Sequence, residues 1–324
     1  MSSGQSTIRI GYVPEHYLAP LHLALRHPQI SALPFKIALT PFPSGTGHMI
    51  TSLRSGEIDI AIGLTEGWVA GLAGKSAPST ESERGYKAIG QWVETPLRWA
   101  IVTGANREDL QGVNDLEGSR VGVSRLGSGS HIMSFVLAQQ RGWKEGSSSL
   151  KPIVTGPFGA LRDGVTGNDL PENKPSSEFF MWEHFTTKPY FHSSPETPTP
   201  PLKKIGEIFT PWPSWMVVAS TSVFPDLETD ERLRNLFGVL DEGVKEFEKD
   251  LSAVVKQLGT GELGCKYGEE DAAEWIKDVK FAQGVRGVDD GVVGKVVDVL
   301  KVAGVIDSSL DDREAVERVV GIRR

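Results

Sequence analysis

Residues 120–142, RVGVSRLGSGSHIMSFVLAQQRG, place a strand, a turn and a helix in immediate succession. The β-branched run at 121–123 predicts a buried strand, and the apolar residues at 132, 133, 136 and 137 have the spacing of one helix face. The small polar turn GSGS at 127–130 lies between them. This order is typical of an α/β sheet.

The GSGS turn has two interpretations. The first turn of a helix has N–H groups without partners, so small residues there leave room for a carboxylate, sulfonate or phosphate. Alternatively, Ser128 or Ser130 simply caps the helix. Ile132 occupies the place of the third glycine in G-x-G-x-x-G, so the dinucleotide-binding fingerprint is incomplete.

The N-terminal part of the chain predicts a parallel sheet. Three apolar strands, separated by two helices, are expected at residues 8–13, 35–39 and 58–62. Their following loops are expected at residues 15–17, 44–47 and 63–68. Because ligands of open α/β sheets bind outside the carboxyl ends of the strands, these loops are candidates together.

The pattern restarts after Thr103, which indicates a second sheet. After Thr103 we expect a helix at 158–165 and strands at 153–154, 179–182 and 216–219. The C-terminal part predicts helices with packing faces at about 230–254, 269–279, 289–303 and 309–320.

The composition limits the partners of the protein. A chain of 324 residues suggests two lobes, and a net charge of −8 with a pI near 5.5 argues against a general nucleic-acid or anionic-membrane surface. Cys265 is the single cysteine, which excludes an internal disulfide and a cysteine-rich metal site. The start of the sequence has no room for a signal peptide, and no run is long enough to span a bilayer. We expect a cytoplasmic protein without membrane insertion.

Several motifs resemble one known superfamily. The segments are SGTGHM, GEIDIAIGLTEGW, DLEGSRVGVSRLGSGSH, FFMWEHF and FTPWPSW. Together they resemble the type II periplasmic-binding-protein superfamily, within it the nitrate, sulfonate and taurine group and the thiamine-pyrimidine-precursor group, especially intracellular fungal members. The resemblance implies an α/β fold of two lobes joined by two crossover strands, with a ligand cleft between the lobes. Lobe I would comprise residues 1–102 and 217–324, and lobe II residues 103–216.

The resemblance also implies which residues bind the ligand. Lobe I would contribute Glu15, His16, Tyr17, Ser44, Gly45, Thr46, Gly47, Thr65 and Glu66. Lobe II would contribute Ser124, Gly127, Ser128, Gly129, Ser130, His131, Trp182 and Glu183. Trp212 and Trp215, at the return crossover, would form an aromatic wall, which suits a heteroaromatic or apolar ligand body.

The predicted function is that of a binding protein closing on a small polar, heteroaromatic or sulfonate-like ligand, with a thiamine pyrimidine precursor as one candidate. No catalytic residue, metal or cofactor is assigned, and the sequence names no protein partner. One alternative is an enzyme of the same fold that uses Glu66 or Glu183 as an acid or base. Another is an interaction protein that has lost its ligand.

A specific enzymatic activity of the superfamily is disfavoured by the sequence. The fungal thiamine-pyrimidine synthases use a histidine and a lysine that holds pyridoxal phosphate in the segment matching residues 63–69, together with a cysteine-rich iron motif. This chain has Thr65 and Val69 in that segment, and one cysteine.

Overall fold

The computed structural model describes residues 6–143, 149–167, 176–195 and 197–324. The chain forms two compact units. Unit 1 comprises Met1–Thr95, Trp212–Lys301 and Ile306–Arg324, and unit 2 comprises Pro96–Pro211 with Val302–Val305. The chain thus passes from unit 1 to unit 2 after Thr95 and returns after Pro211. The lobe boundaries at residues 102 and 216 stay predictions.

The strands and helices alternate through most of the chain. The strands are β1 Thr7–Tyr12, β2 Lys36–Pro41, β3 Ile60–Leu64, β4 Tyr86–Val93, β5 Arg98–Gly104, β6 Arg120–Val123, β7 Lys151–Val154, β8 Phe179–Glu183, β9 Leu202–Phe209 and β10 Trp215–Ser220. The helices are α1 Ala19–Ala24, α2 Thr46–Ser55, α3 Thr65–Ala73, α4 Glu81–Arg84, α5 Gly129–Arg141, α6 Phe158–Thr166, α7 His184–Thr187, α8 Glu231–Lys249, α9 Leu251–Thr260, α10 Glu269–Trp275, α11 Asp290–Val302 and α12 Asp312–Val319.

Each unit is built on one five-stranded sheet. The order in unit 1 is β2-β1-β3-β10-β4, in which β1 pairs in parallel with β2 and β3, and β10 runs antiparallel to β3 and β4. The order in unit 2 is β7-β6-β8-β5-β9, in which β6 pairs in parallel with β7 and β8. The predicted α/β fold and the parallel arrangement of the first three strands are confirmed. In each sheet, the carboxyl ends of three parallel strands therefore lie at one edge.

Apolar side chains fix the helices against these sheets. In unit 2, α6 covers one face of the sheet through a buried cluster of Ala100, Val102, Leu161, Val165, Phe180 and Leu202. In unit 1, α8 crosses α1 closely at Gly243, where a Cβ atom would lie 2.3 Å from the Pro20 carbonyl oxygen. A side chain at Gly243 would therefore separate the two helices.

Three local expectations were wrong. The segment expected as a loop at 63–68 completes β3 and begins α3, because Leu64 extends the strand and Thr65 starts the helix directly. The helix expected at 230–254 is divided at Asp250, whose carboxylate accepts a hydrogen bond from the Ala253 N–H (2.9 Å) and caps α9. Strand β9 was not predicted, since its sequence LKKIGEIF lacks a regular apolar alternation.

The described part of the chain contains no helix that is long and apolar enough to cross a membrane. It also contains no group of three or more His, Cys, Asp or Glu side chains placed to hold a metal ion.

Candidate functional site

The end of β3 organises the carboxyl edge of unit 1. The Thr65 N–H donates to the Ser214 carbonyl (3.0 Å), and its hydroxyl donates to the Pro213 carbonyl (2.7 Å). These bonds fasten the start of α3 to the segment that leads into β10. Thr65 is fully buried, so its hydroxyl is committed to this structural link.

Glu66 is the buried acid of this edge. Its Oε2 accepts a hydrogen bond from Trp212 Nε1 (3.1 Å), and both side chains are buried. Oε1 is also buried and has no hydrogen-bond partner among the described residues. Burial raises the pKa of Glu66 to about 7, although interactions with its own backbone N–H and with Trp212 oppose the rise. The carboxyl group is therefore partly protonated at neutral pH and has one oxygen without a donor.

The loop after β2 and the start of α2 pack against the end of β3 and the first turn of α3. The Leu64 N–H donates to Thr46 Oγ1 (3.0 Å), and a Cβ atom at Gly67 would lie 2.8 Å from Thr46 Cγ2. Gly45, at a φ of 77°, precedes α2 and has no side chain to cap it. Ser44 is exposed. Thr46 is therefore a packing residue, whereas the Ser44 hydroxyl lies open to solvent.

His16 lies in an aromatic cluster rather than at an open surface. Its ring centroid is 4.4 Å from those of Tyr17 and Tyr267 and 4.6 Å from that of Trp275. Burial lowers the pKa of His16 to about 3, so the imidazole is neutral at physiological pH.

Tyr17 belongs to the same cluster. Its ring stacks on Trp215 with centroids 5.4 Å apart, and its carbonyl accepts a hydrogen bond from Trp92 Nε1 (2.8 Å). Glu15 is half-buried, and its carbonyl accepts the Leu18 N–H in the turn after β1. The structure thus gives Tyr17 and Trp215 a shared role in packing the turn.

The GSGS turn of unit 2 is internally hydrogen-bonded. Ser128 is the N-cap of α5, and its Oγ accepts the His131 N–H (3.3 Å). The Ser130 hydroxyl accepts the Ser124 N–H (3.1 Å), and His131 Nδ1 accepts the Gly127 N–H (3.0 Å). Both interpretations of this turn predicted that a helix begins here. In the structure the residue that caps the helix is Ser128. Much of the donor capacity of the turn is used within the turn itself.

Trp182 and Glu183 end β8 and face opposite sides, as strand alternation requires. Trp182 is half-buried and stacks on Phe158 with ring centroids 5.4 Å apart. Glu183 is buried and caps α7, since its carboxylate accepts the Thr186 N–H (2.6 Å). Burial raises the pKa of Glu183 to about 7, against the opposing hydrogen bonds from Thr186 and Phe185.

The structure therefore joins Thr46, Thr65, Glu66 and Trp212 in unit 1, and it joins Ser124, Gly127, Ser128, Ser130 and His131 in unit 2. Two aromatic residues near Trp182 were not among the candidates. Phe158 stacks on Trp182, and Tyr190 contacts Phe158. Their only sequence signal is the position of Phe158 at the start of the helix after β7.

Solved structures of binding proteins share this architecture. The alkanesulfonate-binding protein SsuA from Xanthomonas axonopodis pv. citri, bound to MOPS, matches with a TM-score of 0.69 at 16% identity, covering 96% of this chain and 97% of that chain. The periplasmic nitrate-binding protein NrtA from Synechocystis PCC 6803 matches with a TM-score of 0.69 at 13% identity, covering 98% and 86%. The chain has the two-lobed type II periplasmic-binding-protein fold.

A more similar relative shows the family. The Candida albicans CA3427 gene product, which defines a family with the generic periplasmic-binding-protein fold, is 33% identical, with a TM-score of 0.83, over 98% of this chain and 97% of that chain. A model of the Ca3427-like PBP family matches residues 99–208. The chain belongs to this family. A search of curated proteins by sequence found no match.

Proposed function

We propose that the protein binds a small polar or heteroaromatic molecule through the loops at the carboxyl ends of its parallel strands. Glu66 carries the proposal, because its buried Oε1 lacks a donor in the described structure while Oε2 is held by Trp212. A buried acceptor without a donor costs free energy that a ligand N–H or O–H would recover. This chemistry favours a hydrogen-bond-donating ring, such as the aminopyrimidine of a thiamine precursor, over a bare oxyanion.

The other candidate residues support a ligand with a flat body. Trp182 is half-buried at the end of β8, and Ser44 is exposed beside the carboxyl end of β2. Aromatic faces bind planar groups and hydroxyls fix their orientation.

We propose that this binding takes place in the cytoplasm. The cytoplasm is a reducing compartment, which suits a chain whose single cysteine, Cys265, is free.

Thermal unfolding of the full chain with a panel of pyrimidines, sulfonates and nitrate tests the proposal. A ligand at 100 times its Kd adds about 2.7 kcal/mol to the stability of the folded state and raises the melting temperature by several degrees. Mass spectrometry of small molecules released from the purified protein would identify the natural ligand independently. If no compound raises the melting temperature and nothing is released, the binding function is wrong.

The variant Glu66→Gln sharpens this test. Glutamine keeps the size and an acceptor for Trp212, but it loses the carboxylate. We expect the affinity for a donor-bearing pyrimidine to fall at least about tenfold, the loss typical of one charged hydrogen bond. The matched control is Glu57→Gln, an exposed carboxylate of the same unit, which is expected to leave the affinity unchanged.

A second function, an enzyme of the same fold, is favoured by the pKa values of about 7 at Glu66 and Glu183. A carboxyl group with such a pKa can both accept and donate a proton at neutral pH. Incubation with a metabolite extract should then consume a compound, and the consumption should disappear in Glu66→Gln or in Glu183→Gln. The absence of any turnover by the unaltered protein would rule against this function.

A further inference from the structure

Arg162 in α6 is a half-buried cation without a counter-ion in the described part of the chain. Its Nε is buried and has no hydrogen-bond acceptor among the described residues. Three other arginines of unit 2 each face a carboxylate, in the pairs Arg98–Glu207, Arg107–Asp109 and Arg120–Glu178. Withdrawing a guanidinium from water without an anionic partner is unfavourable, so an anion beside it would stabilise the protein.

Two aromatic rings lie beside this guanidinium. The Arg162 Cζ lies 3.9 Å from the ring centroid of Tyr190 and 5.1 Å from that of Phe158. Phe158 in turn stacks on Trp182, with an interplanar angle of 28°. A guanidinium that contacts ring faces keeps its N–H donors in its own plane, where a planar fork can bind an oxyanion.

The start of α6 adds backbone donors beside the guanidinium. Pro157 is the N-cap, and no side chain caps the first turn, whose N–H groups have no intrahelical acceptor. Gly159 has no side chain, and a Cβ atom there would lie 3.7 Å from Arg162 Nη2. The guanidinium therefore folds back along the first turn of its own helix, where the helix dipole also favours an anion.

The contrast with the GSGS turn is chemical. There, side chains of Ser128, Ser130 and His131 already accept N–H groups of the turn. At α6 no side chain caps the first turn, and its arginine contacts the half-buried rings of Phe158 and Tyr190. Of the two helix starts, α6 is the better anion site.

We propose that Arg162 is the anion-binding residue of unit 2 and binds the sulfonate, phosphate or carboxylate group of a ligand whose flat body lies against Trp182. The proposal rests on the binding function proposed above and specifies the chemical class of the ligand. It also assigns a specificity role to a helix that the sequence motifs did not mark.

Calorimetric titration of the full chain with benzenesulfonate, phenyl phosphate, benzoate and the neutral analogue benzamide tests the proposal. The anions should bind more tightly than benzamide, and their affinity should fall as sodium chloride is raised. Arg162→Gln should weaken binding of the anions at least about tenfold, leave benzamide unchanged and abolish the salt dependence. Arg162→Lys, which keeps the charge but loses the planar fork, should give an intermediate affinity.

The control is Arg141→Gln at the end of α5, an exposed arginine of the same unit, which should bind the anions as the unaltered protein does. Circular dichroism melting establishes that each variant folds, and Arg162→Lys serves if Arg162→Gln does not. If the anions bind and both Arg162 variants retain full affinity, or if Arg141→Gln alone loses it, the assignment of Arg162 is wrong while the binding function stands. If no pyrimidine, sulfonate, phosphate, carboxylate or nitrate binds the unaltered protein, the binding function itself fails.

Discussion

The two units end their third parallel strand in similar ways and use the result differently. Strand β3 of unit 1 leads to Glu66 in the first turn of α3, and β8 of unit 2 ends at Glu183, the N-cap of α7. Both carboxyl groups are buried, and burial raises the pKa of each to about 7. Their hydrogen bonds differ, because Glu66 accepts from a tryptophan indole and Glu183 accepts from the backbone N–H of Thr186.

This difference separates an acid that caps a helix from the acid that we propose binds the ligand. The carboxylate of Glu183 stabilises the start of its own helix, a local task. The carboxylate of Glu66 is held instead by the indole of Trp212, a residue 146 positions away in sequence. The raised pKa is therefore common to both acids, whereas their hydrogen-bond partners, local for Glu183 and distant for Glu66, distinguish them.

Removal of the tryptophan next to each acid, Trp212 beside Glu66 and Trp182 before Glu183, should show the largest difference in stability between the units. Trp212→Ala deletes a buried ring and the donor to Glu66, and we expect the free energy of unfolding to fall by about 3–5 kcal/mol. Trp182→Ala deletes a half-buried ring and should cost roughly 2 kcal/mol, since part of its surface already contacts water. Urea denaturation followed by circular dichroism measures both. Equal losses would show that the two edges are packed alike.

The pH dependence of stability should separate the two acids next. The folded state keeps each carboxyl group protonated up to about pH 7, whereas an ordinary glutamate in the unfolded chain releases its proton near pH 4.5. The folded state thus binds more protons between these values, so stability falls as the pH rises through this window. Across this window, the ionisation of each carboxyl group lowers the free energy of unfolding by about 3 kcal/mol.

Glutamine variants should remove these losses one at a time. Glu66→Gln should flatten the stability curve between pH 4.5 and 7, so that the variant gains on the unaltered protein as the pH rises. Glu183→Gln should flatten the curve by a similar amount, because the amide does not ionise and its oxygen replaces the neutral carboxyl group as acceptor for the Thr186 N–H. Urea denaturation at several pH values provides the measurement. Curves for Glu66→Gln and the unaltered protein that run parallel would contradict the raised pKa of Glu66.

Local patterns predicted much of the fold. The apolar runs and helix ends around β1, β2 and β3 were sufficient to predict a parallel sheet and the edge at which its loops lie. Strand β9 escaped prediction because its hydrogen bonds to β5, rather than its own apolar pattern, hold it in the sheet. The break at Asp250 escaped because the apolar spacing continues across it and only the capping bond reveals it.

The candidate site was less predictable, because its chemistry depends on distant partners. Glu66 was recognised from its place after a strand, but the bond from Trp212 joins residues 146 positions apart. His16 was a candidate on the same grounds, and its neighbours Tyr267 and Trp275 come from the C-terminal part of the chain. Whether a residue after a strand end faces a ligand or packs in a core is decided by such tertiary contacts.

The smallest expected effect distinguishes two serines in similar-looking loops. Ser128→Ala removes the side-chain cap of α5 and should lower the free energy of unfolding by about 1 kcal/mol. Ser44→Ala, in the loop before α2, should change it by less than about 0.5 kcal/mol, because Ser44 is exposed and α2 has no side-chain cap. Under the proposed function, the order reverses for binding, since the Ser44 hydroxyl is open to a ligand while the Ser128 hydroxyl is bonded to Arg125 and Ser130. Urea denaturation and ligand titration of the same two variants measure both orders. A loss of affinity in Ser128→Ala together with unchanged stability would instead make the GSGS turn a binding loop and its capping bonds incidental.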